Sequence, residues 1–471
     1  MNLASKVALN TIIQLISKII SIALGLATIA IMTRYLGQEG FGQYTTIITF
    51  LSFFAVAADL GLTLVTVQMI SQPDADQNTI LSNLFSLRLF SALALLIIAP
   101  LSIWFLPYAD TVKIGVAIAT ASFLFPALNQ ILVGLFQKSL RLDKVSLAEI
   151  LSRVVLFGGT IMSARLDWGL YGILWASVAS AAVSFLLHYI FSLKLAKITI
   201  NFNWEIWRDI IRHSWPIGLT IVFNLVYLRA DTLILSLFRS SNEVGIYGAT
   251  YKVIDVLITI PFIFAGIVLP IMTSGWRNDK RQFERVLQKS FDLMVILAIP
   301  LFFGAQFLAD RLMTLVAGND FSASGPVLRI LILAASIIFV GTMFSHAVIA
   351  VDKQRKIIGA YFFVAVTALI GYLILIPKYS YFGAAWMTIY SELSIALASG
   401  WLVWKTSSFL PDLKIAGKVF LACLPMSAWL FYSTGLNLWL TILVACVVYT
   451  ISLYLIKGIT RQDLMTLLAR E

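Results

Sequence analysis

Apolar residues run unbroken through fourteen stretches of about 20 residues, with short polar turns between them. At 1.5 Å per residue, such a stretch crosses a hydrocarbon core of roughly 30 Å as a helix. The stretches are Thr11–Thr33, Tyr44–Thr66, Leu81–Phe105, Ile114–Phe136, Ser146–Ser163, Gly169–Phe191, Trp215–Phe238, Ile246–Pro270, Phe291–Leu308, Pro326–Ala350, Ile357–Ile376, Gly383–Trp404, Ile415–Ser433 and Leu436–Ile456. The runs are continuous rather than alternating, so they predict helices and not barrel strands. The expected fold is an all-α integral membrane protein with about 14 transmembrane helices. Lys418, in the first turn of the thirteenth stretch, has to snorkel to the surface.

Composition agrees. Hydrophobic residues make up 60% of the chain and charged ones 12%, about half the share usual in soluble domains. The first apolar run is too long for a cleavable signal peptide and lacks a small-residue cleavage site. Cys423 and Cys446 fall inside the last two stretches, which argues against a disulfide framework or a metal cluster.

The net charge of +11 raises the question of nucleic acid. Topology accounts for it better. With both termini cytoplasmic, 22 of the 34 Lys and Arg fall in cytoplasmic segments and six in external ones. That is the positive-inside bias of a multi-pass membrane protein. Ser71–Ile80 departs from it, with only Asp74 and Asp76 as charges.

Three short matches recur in order. Gly42-Gln43-Tyr44 returns as Gly245-Ile246-Tyr247, and Arg141-Leu142-Asp143-Lys144 as Ala350-Val351-Asp352-Lys353. Tyr171-Gly172-Ile173-Leu174-Trp175 returns as Phe382-Gly383-Ala384-Ala385-Trp386. An even number of spans per half makes the halves parallel repeats, two six-helix lobes related by a pseudo-twofold axis along the membrane normal, with a site between them. The expected organisation is an N-terminal lobe 1–191, a cytoplasmic linker 192–214 with a short interfacial helix at Trp204–Arg212, a second lobe 215–404, and two further helices with a tail over 405–471. Arg277–Lys289 reads as a second interfacial helix.

Four spans carry a polar line at helical spacing, each set on one helix face. They are Gln14, Lys18, Ser21, Gly25, Thr28; Thr45, Thr49, Ser52, with Asp59 beyond; Thr220, Asn224, Tyr227, Asp231; and Gly248, Lys252, Asp255, Thr259. These spans occupy equivalent places in the two halves, as the walls of a central aqueous cavity would. The other reading is that small polar residues glue helices together. Ionisable groups at such depth face a cavity or a partner.

Lys18 either snorkels or lines the cavity, and Lys252 and Asp255 either contact a ligand or neutralise each other. Asp59, Asp231 or Asp255 could bind a proton or cation. Arg88 is either a ligand for an anionic headgroup or the partner of a carboxylate on another helix. Glu149 and Arg153 form an i,i+4 pair, Arg329 snorkels outward, and His188 and His346 are packed or hydrogen-bonded. No phosphate-binding loop, nucleophile elbow or metal-ligand motif occurs, so no enzyme and no cofactor is expected beyond a coupling cation, H+ or Na+.

Thr33-Arg34-Tyr35-Leu36-Gly37-Gln38-Glu39-Gly40-Phe41-Gly42-Gln43-Tyr44 resembles the opening motif of the bacterial polysaccharide transporters that flip lipid-linked oligosaccharides. Asp59-Leu60-Gly61-Leu62, Asp231-Thr232-Leu233-Ile234-Leu235 and Val244-Gly245-Ile246-Tyr247 are similar to later motifs of that family. It belongs to an exporter superfamily that includes multidrug antiporters and lipid II flippases. The resemblance spans the first twelve helices. It implies a two-lobed, alternating-access flippase, O-antigen flippase-like, acting on an undecaprenyl-pyrophosphate-linked oligosaccharide. The implied partners are that lipid-linked glycan, membrane lipids and polysaccharide-assembly proteins, with no nucleic acid, and the carrier is expected to be a monomer. Lys18, Arg88 and Lys252 would attract the pyrophosphate. Gln14, Ser21, Thr28, Asn224 and Tyr227 would meet sugar hydroxyls. A multidrug exporter of the same superfamily, or a membrane-embedded glycan-transfer enzyme, is the alternative.

Overall fold

The computed structural model describes residues 3–458 apart from 60, 63–65, 67, 68 and 71–75, with side chains at all of these but 3–12, 15, 213, 216, 217, 219, 220 and 224. Among them every long element is a helix. In chain order these are α1 Leu3–Asp59, α2 Gln77–Ser102, α3 Asp110–Lys138, α4 Leu142–Arg165, α5 Gly169–Ser192, α6 Trp204–Phe238, α7 Ser241–Asn278, α8 Lys280–Ala317, α9 Ser324–Ala350, α10 Gln354–Ser407, α11 Lys414–Tyr432 and α12 Leu438–Leu455.

Two of them are double. α1 turns at Gly37 (φ 64°, ψ −174°) and α10 at Ser380 (φ 52°, ψ −137°). Gly37 sits in the left-handed region, where a side chain is strained. Dividing both helices gives one rod for each of the fourteen predicted stretches, and the protein is a multi-pass, all-α membrane protein.

The helix ends correct the sequence reading in two places. Trp204–Arg212 is no separate interfacial helix but the opening turns of α6, which continues without a break to Phe238. Arg277–Lys289 is likewise shared by α7 and α8, which meet at Asp279. At 35, 38 and 38 residues, α6, α7 and α8 exceed the roughly 20 needed to span lipid, so they project beyond it.

The linker before α6 is also ordered. Residues 197–203 run extended along the start of α2. Their alternate amides donate to its side chains: Lys197 N to Asn78 Oδ1 (3.1 Å), Thr199 N to Ser82 Oγ (3.1 Å), Asn201 N to Ser86 Oγ (2.8 Å) and Asn203 N to Asn83 Oδ1 (2.9 Å). Period-two geometry turns every second amide the same way, and the helix side chains replace a neighbouring strand.

Asp76, at the exposed start of α2, accepts from Asn78 N, Thr79 N and Thr79 Oγ1. These bonds hold its carboxyl below the usual range, with the Thr79 hydroxyl the largest cause. Asp74, the other acid of that segment, lies outside the described residues.

The chain forms two compact units, residues 1–249 with 316–320, and 250–315 with 321–471. The first is packed by Ile47, Leu51, Leu96, Val116 and Leu174, all nearly fully buried. The second is packed by Met272, Phe283, Met294, Phe339, Met343 and Val419. α11 and α12 belong to that second core: Tyr449 Oη donates to Ile296 O at 2.7 Å. Lys418 does reach the surface, where its ammonium caps α12 by donating to Lys457 O at 2.8 Å.

Within the first unit the opening motif grips three other turns. Arg34 donates to Val316 O (3.0 Å) and Gln38 to Asp320 O. Tyr35 Oη donates to Asp167 (2.9 Å) and accepts from Gly169 N (2.7 Å). Gly42 meets the start of α7: a methyl group there would overlap the Ser241 carbonyl and stand 2.9 Å from Gly245 N. A methyl on Gly245 would overlap the Gln38 carbonyl and stand 3.2 Å from Gly42 N. Gly248 packs on Thr45. The contact is reciprocal: Gly42 meets the Ser241 carbonyl, and Gly245 meets the Gln38 carbonyl.

Candidate functional site

The polar stripe of α1 is the feature that departs most from a packed bundle. Gln14 and Lys18 are exposed, Ser21 is half-buried, and beside Gly25 the space is open. Ile16, Ile19 and Ile20 are exposed too, at 53%, 67% and 39%. At about 100° per residue, these isoleucines lie on the opposite side of the helix from Gln14, Lys18, Ser21 and Gly25. This part of α1 therefore has two open faces, one apolar and suited to lipid, the other polar and carrying an ammonium. Among the described residues Lys18 forms no ion pair.

Not every member of the stripe faces that opening. Thr28 is buried and donates to Leu24 O at 2.7 Å, which removes it from the exposed line. Ser21 Oγ is buried without a hydrogen-bond partner among the described residues. In the second stripe, Thr45 is buried, donates to Phe41 O at 2.8 Å and packs against Gly248, so helix packing claims it.

Arg88 resolves in favour of a carboxylate partner. It is 2% exposed, and its Nη1 lies 2.6 Å from Asp59 Oδ1 on α1. Its remaining donors are also used. Nε reaches Ala127 O (3.1 Å), Nη1 reaches Ala58 O (3.1 Å) and Nη2 reaches Gln130 Oε1 (2.7 Å). A guanidinium spent this way is not presented to a headgroup, which corrects the expectation of a substrate cation there. Asp59 is its counter-charge.

Asp231 is wholly buried. It accepts from Tyr247 Oη at 2.7 Å and from Thr232 N at 2.5 Å. Tyr227 is also buried, and the side chain of Asn224 lies outside the described residues. In the second unit Lys252 and Asp255 are half-buried one turn apart on α7, and Thr259 donates to Asp255 O at 2.8 Å.

Elsewhere the expectations divide. His188 and His346 are hydrogen-bonded through Nδ1 to Ser184 O (2.7 Å) and Thr342 O (2.9 Å). Arg329 does not simply snorkel: its guanidinium binds Asp310 at 2.5 Å and Gln306 O at 3.1 Å. Glu149 and Arg153 form no ion pair among the described residues.

One intramembrane acid escaped the sequence reading. Glu392, in the second half of α10, is 8% exposed. Its signal was simple, a single carboxylate inside an apolar stretch, but it sits on none of the four stripes.

A family model described as polysaccharide biosynthesis protein matches residues 31–326, more than half of the chain. The chain belongs to that family. Similar proteins include the probable low-salt glycan biosynthesis flippase Agl15 of Haloferax volcanii, 23% identical over 43% of this chain and 42% of that one. Less than half of Agl15 is therefore aligned. The probable flippase AglR of the same organism is 23% identical over 73% of this chain and 71% of its own length. The succinoglycan biosynthesis transport protein ExoT of Rhizobium meliloti is 20% identical over 71% and 67%. Among solved structures, the lipid II flippase MurJ in an inward closed conformation has a TM-score of 0.79 at 17% identity, covering 97% of this chain and all of that one. An inward-facing multidrug resistance MATE transporter has a TM-score of 0.68 at 15% identity, covering 82% and 94%. Both likenesses show the fold.

Proposed function

We propose that the protein is a flippase. It carries an undecaprenyl-pyrophosphate-linked oligosaccharide from the inner to the outer leaflet of a bacterial cytoplasmic membrane by alternating access. The observation that carries this reading is the double-faced start of α1. A polar, cationic face opposite a lipid-facing one suits a cargo whose head is anionic and hydroxylated and whose tail stays in the bilayer. A charged headgroup does not cross hydrocarbon unaided, because each unpaired polar group costs about 2–7 kcal/mol. Lys18 supplies a point charge for the pyrophosphate, and Gln14 supplies hydrogen bonds to sugar. Family membership supports a role in polysaccharide biosynthesis, and the relatives named flippases support translocation over chemistry.

In this reading the opening motif is the outer closure. Arg34, Tyr35, Gln38 and Gly42 hold three separate turns, and the Gly42–Gly245 contact has to part before the headgroup can leave outward. Binding tests the reading. Purified protein is titrated with a polyprenyl-pyrophosphate oligosaccharide and with the same glycan lacking lipid and pyrophosphate. Preference for the lipid-linked form, reduced at least tenfold by Lys18→Gln, is expected. Equal binding of both forms would refute the cationic face as the headgroup site. Preference for an organic cation over both would place the chain with multidrug exporters.

A further inference from the structure

Glu392 lies nine residues past Gly383, where the twelfth apolar stretch begins. It is 8% exposed, and among the described residues its Oε1 has no hydrogen-bond partner. No ion pair reaches it among those residues. Arg88 has answered the charge of Asp59, and Tyr247 and Thr232 donate to Asp231. Glu392 has no comparable provision.

Hydroxyl residues share its face of α10. One turn before it, Thr388 Oγ1 donates to Ala384 O (3.1 Å) and lies 3.2 Å from Tyr251 Oη on α7. Two turns after it, Ser399 Oγ lies 3.3 Å from Ser345 Oγ on α9. Positions 388, 392 and 399 share one helix face. Tyr361, from the first half of α10, engages Ser345 and stands close enough for the Glu392 charge to act on it.

The titratable groups along this seam are Tyr361 and, on α7, Tyr251 with Lys252 and Asp255 next along that helix. α9 contributes Ser345. The adjacent His346 turns its Nδ1 to Thr342 O and its ring to Phe262.

An ionised Glu392 has no counter-charge among the described residues and a buried Oε1 without a donor, so its charge has to be cancelled by a cation that arrives. One fact bears on which one. Among the described residues no group of three Asp, Glu, His or Cys includes Glu392. A metal ion needs several oxygen ligands at once. A proton needs one lone pair.

We propose that Glu392 is a proton-binding site, loaded in this conformation and emptied in another, so that proton binding biases the conformational cycle. The proposal rests on the transporter reading above for its consequence, though not for the site itself. The step is one proton added to the carboxylate, which becomes a neutral carboxyl. No other bond changes, and the local charge rises by one.

Infrared spectroscopy of the full-length protein in liposomes tests this. A protonated-carboxyl C=O band that shifts in D2O is expected at neutral pH and is expected to disappear at alkaline pH. Glu392→Gln should remove it and Glu392→Asp should move it. In the same liposomes, an imposed pH gradient should change the wild-type flipping rate, and Glu392→Gln should lose that response. Absence of the band from the wild type, or its survival in Glu392→Gln, overturns the proposal. So does an undiminished gradient response in that variant. If Glu392→Gln does not fold, the wild-type titration and the Glu392→Asp shift decide. If the wild type flips no lipid-linked glycan, the flippase reading fails while the infrared band still decides the proton site.

Discussion

Gly42 and Gly245, 203 positions apart in the chain, face each other backbone to backbone within the first compact unit. Each stands where a methyl group on the other would meet main chain, with no flexible side chain able to give way. Alanine at either position should therefore act through overpacking and destabilise by about 1–3 kcal/mol. Thermal unfolding of Gly42→Ala and Gly245→Ala in detergent checks this. Gly266→Ala, where the added methyl meets open space, is the control expected not to lower the midpoint.

The Arg88–Asp59 pair should behave as a buried ion pair. Arg88→Ala strands a carboxylate and should cost about 3–5 kcal/mol. Replacing both partners together, Arg88→Met with Asp59→Leu, should recover most of that loss. A double-mutant cycle on unfolding measures the coupling, and additive losses would show that the pair is not a unit.

Lys18 should show the opposite profile. Its side chain is exposed and forms no ion pair among the described residues, so Lys18→Gln should change stability by less than about 0.5 kcal/mol. Binding of the pyrophosphate-bearing lipid should nevertheless fall. Melting and binding measured on one preparation separate the two effects.

Asp76 gives a pH signature outside the membrane. Its carboxyl is held below the ordinary 3.8, chiefly by the Thr79 hydroxyl, so the folded form binds its proton less readily than the unfolded one. Its contribution is fully present above 3.8 and is lost as pH falls through the lower folded value. The difference in unfolding midpoint between wild type and Asp76→Ala should thus be constant at neutral pH and shrink in strong acid. A difference that grows on acidification would reverse the sign.

The helix count was legible because lipid imposes one length and one composition on every crossing, and each of the fourteen stretches finds its rod. Helix ends were less legible. Nothing in the composition of Trp204–Arg212 says that it joins α6 without a break, since amphipathic and spanning segments are both helical. The glycines of the repeat were visible as a pattern, but their contact was not, because pattern carries no distance. The charged positions divided on partners distant in sequence. Arg88 and Asp59 lie on different helices, so an unpaired arginine and a paired one look identical in the chain. Glu392 was illegible for a different reason: a lone buried acid forms no stripe.

Translocation itself is the most direct test of the central claim. Purified protein is reconstituted into liposomes loaded with a polyprenyl-pyrophosphate oligosaccharide, and the headgroup exposed to an outside reagent is followed with time. Protein-dependent exposure of the headgroup, slowed by Lys18→Gln in a carrier that still melts like the wild type, is the predicted result. No exposure for any member of a glycan panel, together with gradient-driven efflux of an organic cation, would contradict it.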